Sequence, residues 1–370
     1  MKRIYLVVIS LLSVIGFSQK YEFSTVKDIS CLPVISQDKT GTCWSFSSTS
    51  FLESEILRIK GQKIDLSEMY TVRQTYPKKA YNYVMRQGKA QFGEGGLAHD
   101  VINSAMEYGL VPESAYSGKT TAAIHDHSKM VAELETFLKK VVATPTPFNT
   151  KWKEEYNAIL DQYMGKSSSD FTYEGKKYTP TEFLTTTGLD LSKYVTITSF
   201  SHVPFDSKFI LDIPDNFANG SFYNLPLDEF VFNIDNALDK GYTLSLDADV
   251  SEKTFSSKTG VAVIPANEAD ATTILTEIKP EKQITQELRQ AEFENYNTTD
   301  DHLMHIVGKV VDQKGNIYYK VKNSWGKDSG KDGYIYMSVA YLKLKAISVL
   351  VHVDGLSKKT ASTLGILYKS

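Results

Sequence analysis

Two cysteines in 370 residues, a net charge of only −3 and the absence of any block of like charge set the first limits on this chain. So few thiols exclude a disulfide framework as the source of stability. None is needed, because 42% hydrophobic residues over this length fill one large core or two smaller ones. Without a basic stripe there is no electrostatic footprint for nucleic acid or anionic lipid, so neither is expected as a partner. Beyond the N-terminus no stretch approaches the roughly 20 apolar residues of a spanning helix. Internal repeats and low-complexity tracts are also missing.

The N-terminus is the exception. Lys2 and Arg3 precede an apolar run from Ile4 to Phe17, with small residues at Gly16 and Ser18. This pattern predicts a signal peptide over 1–18, cleaved before Gln19, and hence a secreted or periplasmic protein; a retained anchor is the alternative. An oxidising compartment would permit a bridge between Cys31 and Cys43. A bridge would silence Cys43, the more suggestive thiol, so Cys31 is read instead as a small buried hydrophobe.

Between these landmarks the pattern changes character twice. Apolar residues at Trp44, Phe51, Leu52, Ile56 and Ile59 follow a helical rhythm, with Thr40 or Thr42 to cap it and Gly61 to end it. Cys43 therefore falls in the first turn of a helix, where free N–H groups and the macrodipole favour a thiolate. Further helices are predicted from Leu66 to about Tyr76 and from about Leu97 to Tyr108, the second closed by Gly109. Residues 117–225 read as a helical insertion, with "SHVPFDSKFILDIPDNFANGSFYNLP" as an extended return path. From 226 onward one entry helix, "DEFVFNIDNALDKG", gives way to alternating Val-, Ile- and Tyr-rich segments, including "GYIYMSVAYL". These are expected to form an antiparallel sheet with a hairpin turn at "DQKGN".

The chemistry-bearing residues fall at the edges of these elements. A thiol peptidase needs a thiolate, an imidazole to relay a proton, a group that orients the ring, and donors for the developing oxyanion. Cys43 supplies the sulfur, and Gln37 can bring a side-chain amide beside the Cys43 N–H. His302 opens a strand, and Asn323 lies one hairpin later. His305, three residues on, is expected on the opposite strand face as a core histidine. The remaining histidines show no ligand spacing. "HDH" at 125–127 reads as a solvated turn, so no metal and no cofactor is expected.

Taken together, "Q-x5-CW-x-F", "LSE", "GG", "DH" and "NSWG" resemble, in order, the motifs of papain-like cysteine peptidases, over residues 37–116 and about 226–345. The resemblance implies an α+β papain-like fold, with a helical N-terminal half and an antiparallel, barrel-like C-terminal half. It implies Cys43 as nucleophile, His302 as general acid/base, Asn323 as the ring-orienting residue and Gln37 as oxyanion donor. Trp325 would shield the Asn323–His302 contact, Trp44 would support the nucleophile helix, and the backbone at Gly95 and Gly96 would pair with a peptide substrate.

Two departures narrow the resemblance: little chain lies between Gln19 and Gln37 for a propeptide, and Thr40 stands where most secreted members carry a second cysteine. Both features are similar to the bleomycin hydrolase and aminopeptidase C branch. That branch implies an aminopeptidase, a homo-oligomer (a hexamer) and a C-terminal arm, here 352–370, lying in the cleft. A papain-like endopeptidase and an inert peptide-binding scaffold are the alternative readings.

Overall fold

A computed structural model describes residues 20–120 and 123–366; the expected signal segment lies outside them. Strand β1 (Phe23–Asp28) leads to three helices, α1 (Cys43–Lys60), α2 (Glu68–Met85) and α3 (Ala98–Tyr108). The middle segment holds α4 (Ser128–Ala143), α5 (Trp152–Met164), the hairpin β2 (Phe171–Tyr173) and β3 (Lys176–Tyr178), and α6 (Pro180–Thr187). Strands β4 (Tyr194–Thr198), β5 (Ser207–Ile210) and β6 (Ser221–Asn224) follow. The last part contains α7 (Leu227–Asp239), β7 (Leu244–Ala248), β8 (Phe255–Ser256), β9 (Val261–Ala262) and α8 (Gln286–Glu294). It ends with β10 (His302–Asp312), β11 (Ile317–Lys322), β12 (Tyr334–Ser338), α9 (Val339–Lys345), β13 (Ala346–His352) and α10 (Lys358–Thr363).

The fold is α+β as expected, but the sheet is neither closed nor purely antiparallel. Its strands run β5-β6-β4-β13-β7-β10-β11-β12-β9-β8, with β1 also on β10. The pairs β4–β6 and β9–β12 are parallel. Closure would require the two outer strands to meet, and among the described residues they end as short edges. Strand β10 is the hub: its first half, His302 to Ile306, pairs with β7, and its second half, Gly308 to Asp312, pairs with β1. Helix α1 lies against one face and α7 against the other. This double covering explains why "HLMHIVGKVVD" is buried almost throughout instead of alternating.

Helix α1 departs from the amphipathic reading. Every residue from Cys43 to Ile56 is buried, whereas Ile59, expected on the core face, is 39% exposed. Its serines make the close approach possible. The Ser47 hydroxyl donates to the Met304 carbonyl at 2.6 Å, and both Ser47 and Ser48 meet the Ser245 hydroxyl. Helix α2 continues beyond the expected stop at Tyr76, through Pro77, because Tyr76, Ala80 and Val84 form a buried face. That burial offsets a missing N–H that costs an isolated helix about 3 kcal/mol.

The middle segment also differs from the sequence reading. Helices α4 and α5 bury Met130, Leu134, Leu138 and Trp152, Tyr156, Leu160 at four-residue spacing, as their periodicity predicts. Strand β4, however, enters the main sheet beside β13, and the supposed extended return folds into the β5–β6 hairpin. The second half of "GYIYMSVAYL" is helix α9, started by the Ser338 hydroxyl accepting from the Tyr341 N–H. The C-terminal segment, expected to lie in the cleft, docks on α7 as far as it is described. Asn236 Nδ2 donates to the Gly355 carbonyl and the Ser357 N–H to Asn233 Oδ1, while Leu356 and Ala361 join the core beneath.

Gly308 tests the role of β1, since a Cβ there would overlap the Lys27 carbonyl oxygen. Gly308→Ala is expected to cost roughly 1–3 kcal/mol by overpacking. Amide hydrogen exchange should accelerate over residues 23–28 while β7 keeps its protection; unchanged exchange there would refute the assignment.

Candidate active site

Cys43 is the first residue of α1 and sits at the seam between the helices and β10. No side-chain cap occupies the first-turn N–H groups, because the Thr42 hydroxyl is held by that of Thr40 at 2.6 Å. The Ser45 and Phe46 N–H groups donate to the Thr42 carbonyl, which leaves those of Cys43 and Trp44 at the positive end of the helix.

The chain just before Cys43 is tied to the loop after β11. Gln37 N–H donates to the Ser324 carbonyl at 2.8 Å, and Gly326 N–H donates to Ile35 O at 3.3 Å. The Ser324 hydroxyl donates to Gln37 Oε1 at 2.6 Å, and Gln37 Nε2 donates to Thr40 O at 2.6 Å. An amide NH2 carries two hydrogens, so one remains free. Thr40 was read from the sequence only as a cap and as the residue in place of a cysteine, and Ser324 was not singled out, although it lies inside the "NSWG" motif.

The same loop carries Asn323, whose Oδ1 lies 2.7 Å from His302 Nε2. A carbonyl oxygen can only accept, so Nε2 bears the hydrogen and Nδ1 of the neutral ring is a free base. The Ser324 N–H holds the same Oδ1 at 2.7 Å, which fixes the amide orientation. Trp325 stacks obliquely on His302, ring centres 4.7 Å apart at 32°. His305 is turned instead toward α1, with Nδ1 3.0 Å from the Ser50 hydroxyl.

Trp44 Nε1 donates to the Glu94 carbonyl at 2.8 Å and underlies Gly96, whose missing side chain lets the backbone lie against the indole. Gly95 is more enclosed than expected. Its carbonyl accepts from Lys79 Nζ, and the Asp215 carboxylate occupies the space a Cβ would need. The "HDH" segment is not solvated: His125 and His127 are both buried, and His127 Nδ1 is 3.3 Å from Glu94 Oε1. Cys31 is half-buried with its sulfur 3.6 Å from the Tyr334 hydroxyl, and both cysteines are free.

Electrostatics set burial of the thiol against the helix position that favours its ionisation. Burial pushes the Cys43 thiol up to about 12; the Leu303 N–H at the sulfur opposes this, and the carboxylates of Asp300, Asp215 and Asp247 reinforce it. Burial also pulls His302 down to about 4, against the helping contact of Asn323. Desolvation therefore favours the neutral form of both groups, a thiol and a neutral imidazole.

The family follows from a comparison along nearly the whole chain: the Peptidase C1-like family matches residues 15–365. The chain belongs to the Peptidase C1-like family. Among curated proteins it is 25% identical to "Cysteine proteinase 1, mitochondrial" of Saccharomyces cerevisiae (strain JAY291), covering 92% of this chain and 78% of that protein. It is 23% identical to "Aminopeptidase C" of Lactococcus lactis subsp. cremoris, covering 91% and 84%. Among solved structures, PepW from Lactobacillus rhamnosis superposes with a TM-score of 0.74 at 18% identity, covering 92% of this chain and 84% of that one, which supports the fold. The protein is thus a papain-like cysteine peptidase with relatives in the aminopeptidase C branch. Among the described residues no helix is long and apolar enough to cross a membrane.

The electrostatics predict a pH signature. Because the Cys43 thiol is raised and His302 lowered, alkylation of the unliganded protein by iodoacetamide should be slow at pH 5–6 and climb steadily above pH 8. A plateau of reactivity already reached in mildly acidic solution would show a resting ion pair and overturn this reading.

Proposed function

We propose that this chain is an exported aminopeptidase that cleaves the N-terminal peptide bond through a thioester on Cys43. What carries the reading is the Nε2–H to Asn323 contact, which presents His302 Nδ1 as a base at the same seam that holds Cys43. As the sulfur attacks the scissile carbonyl, the thiol proton passes to His302 Nδ1 and the carbonyl electrons move onto oxygen. The free hydrogen of Gln37 Nε2 and the Cys43 N–H stabilise that oxyanion.

Collapse of the adduct breaks the C–N bond, and His302 returns the proton to the departing amine. Water then adds to the thioester with His302 as base, releasing the acid and restoring the thiol. Asn323 holds the ring without competing for the proton. Trp325, 37% exposed, covers that hydrogen bond from solvent. Gly96, lying over Trp44, is the edge along which substrate backbone pairs.

The aminopeptidase half of the proposal is supported by the relatives named aminopeptidase C. Export is supported by the pattern over residues 1–18, and assembly into a homo-oligomer by the same branch resemblance. Cys43→Ala should lower turnover by at least about 10³-fold with an unchanged melting temperature. Gln37→Ala should lower kcat on the order of 10²-fold. A free-amine peptide should be cut and its N-acetylated twin left intact. Turnover by Cys43→Ala would refute the nucleophile, and equal cleavage of both peptides would make the protein an endopeptidase.

A further inference from the structure

Beside Cys43 lies a group of carboxylates that the hydrolysis steps leave unused. In the β7–β10 ladder His302 pairs with Ala248 and Leu303 with Asp247, so Asp247 stands across from the residue whose N–H meets the Cys43 sulfur. Asp247 is 2% exposed, and neither of its carboxylate oxygens meets a hydrogen-bond donor. What faces it is another carboxylate, Asp300, whose own Oδ2 is buried without a partner. Asp215 completes the group. Its carboxylate fills the space over Gly95 and accepts from Gln91 Nε2 at 3.1 Å, and its N–H supports Asp300.

Two facing carboxylates buried without donors require a proton or a cation between them. The nearby cation, Lys79, is committed to the Gly95 carbonyl and lies on the Asp215 side of the group. Among the described residues no cluster has the arrangement to hold a metal ion. A proton shared with Asp300 meets this need in the unliganded protein, since burial and the facing carboxylate hold the Asp247 carboxyl well above the usual range; a compact, donor-rich cation such as a primary ammonium can take its place. Position favours one source. The α-nitrogen of an N-terminal residue lies only ~2.5 Å from the carbonyl carbon that the sulfur attacks, two bonds away. A site for that ammonium has to sit immediately beside Cys43, and the field of all three carboxylates is felt at its sulfur.

We infer that Asp247 and Asp300, with Asp215 at the rim, form an ammonium-binding subsite that seats the free N-terminal amine of the peptide substrate. This deepens the aminopeptidase reading and rests on it for the identity of the ligand. The subsite selects for unblocked N-termini by charge: an acetylated amine brings one donor and no charge, and leaves the pair unbalanced.

Binding to the inert Cys43→Ala protein tests the subsite apart from turnover. By calorimetry at neutral pH, alanyl-alanine amide should bind at least about tenfold more tightly than its N-acetyl form. Adding Asp247→Asn should erase that preference while leaving the affinity for the acetylated form unchanged. Asp300→Asn provides the same readout should Asp247→Asn fail to fold. Equal affinities in Cys43→Ala, or a preference that survives both substitutions, would overturn the subsite and leave the carboxylates sharing a proton. A third ligand, N-acetyl-lysyl-alanine amide, separates the sources: tight binding of that ligand alone would reassign the subsite to a side-chain ammonium. If wild type cleaves acetylated and free peptides equally, the aminopeptidase reading fails, while the binding measurements still decide the subsite.

Discussion

The hydrogen bond from His302 Nε2 to Asn323 Oδ1 is the constraint on which the site depends, because it converts sheet register into chemistry. It joins the first residue of β10 to the residue that follows β11, so any slip between these strands would break it. The register is therefore held on several sides. β7 pairs with the start of β10, β1 with its end, and the Ile35–Gln37 stretch with the loop that carries Asn323. A bulge between Ile306 and Gly308 absorbs the mismatch between these pairings. Gln37 and Asn323 are thereby positioned by one another: the Ser324 hydroxyl reaches the first while its N–H reaches the second.

The second organising fact is that α1 is buried around its whole circumference over its first four turns. Burial brings Cys43 to the sheet but also draws polar groups into the interior. Glu53 accepts from the Leu66 N–H at 3.0 Å, and burial pushes its carboxyl up to about 8 despite Lys322 nearby. Glu68 rises for the same reason and through the charge of Glu53. Lys322 Nζ donates to the Ser50 hydroxyl at 2.7 Å, and that hydroxyl also contacts His305. Glu53 and Ser50 belong to the nucleophile helix, and Glu68, His305 and Lys322 to the elements that flank it. The network locks α1 against β10 and β11 through directional contacts, which smooth apolar packing does not provide.

Much of this was legible from spacing. Cys43 at the head of a helix, His302 opening a strand and Asn323 one hairpin later are statements about element boundaries, and Gly61, Gly109 and "DQKGN" mark such boundaries locally. Helices α4 and α5 were equally plain, since a single buried stripe leaves a clean period. Other features failed for identifiable reasons. An all-buried helix carries no clean amphipathic signal, so the apolar rhythm of α1 placed Ile59 on the core face when it is exposed. Strand β4 is short and its partner β13 lies some 150 residues away, so nothing near "KYVTITSF" announces that it joins the main sheet. Helix position is visible in a sequence, whereas the desolvation that opposes a thiolate at Cys43 is not.

The desolvation of Cys43 and the carboxylates beside it bear on each other. A sulfur that must become negative is surrounded by Asp300, Asp215 and Asp247, an arrangement that opposes the chemistry in the empty site. An ammonium seated between Asp247 and Asp300 would cancel that field at the moment the peptide carbonyl reaches the sulfur, so binding and activation would share one electrostatic event. A blocked peptide would then suffer twice, in affinity and in the ease of thiol deprotonation, since binding energy is most effective where it lowers the barrier itself. On this view the carboxylates beside the nucleophile are not an inconsistency in the active site; they make a reactive sulfur conditional on the substrate's free amine.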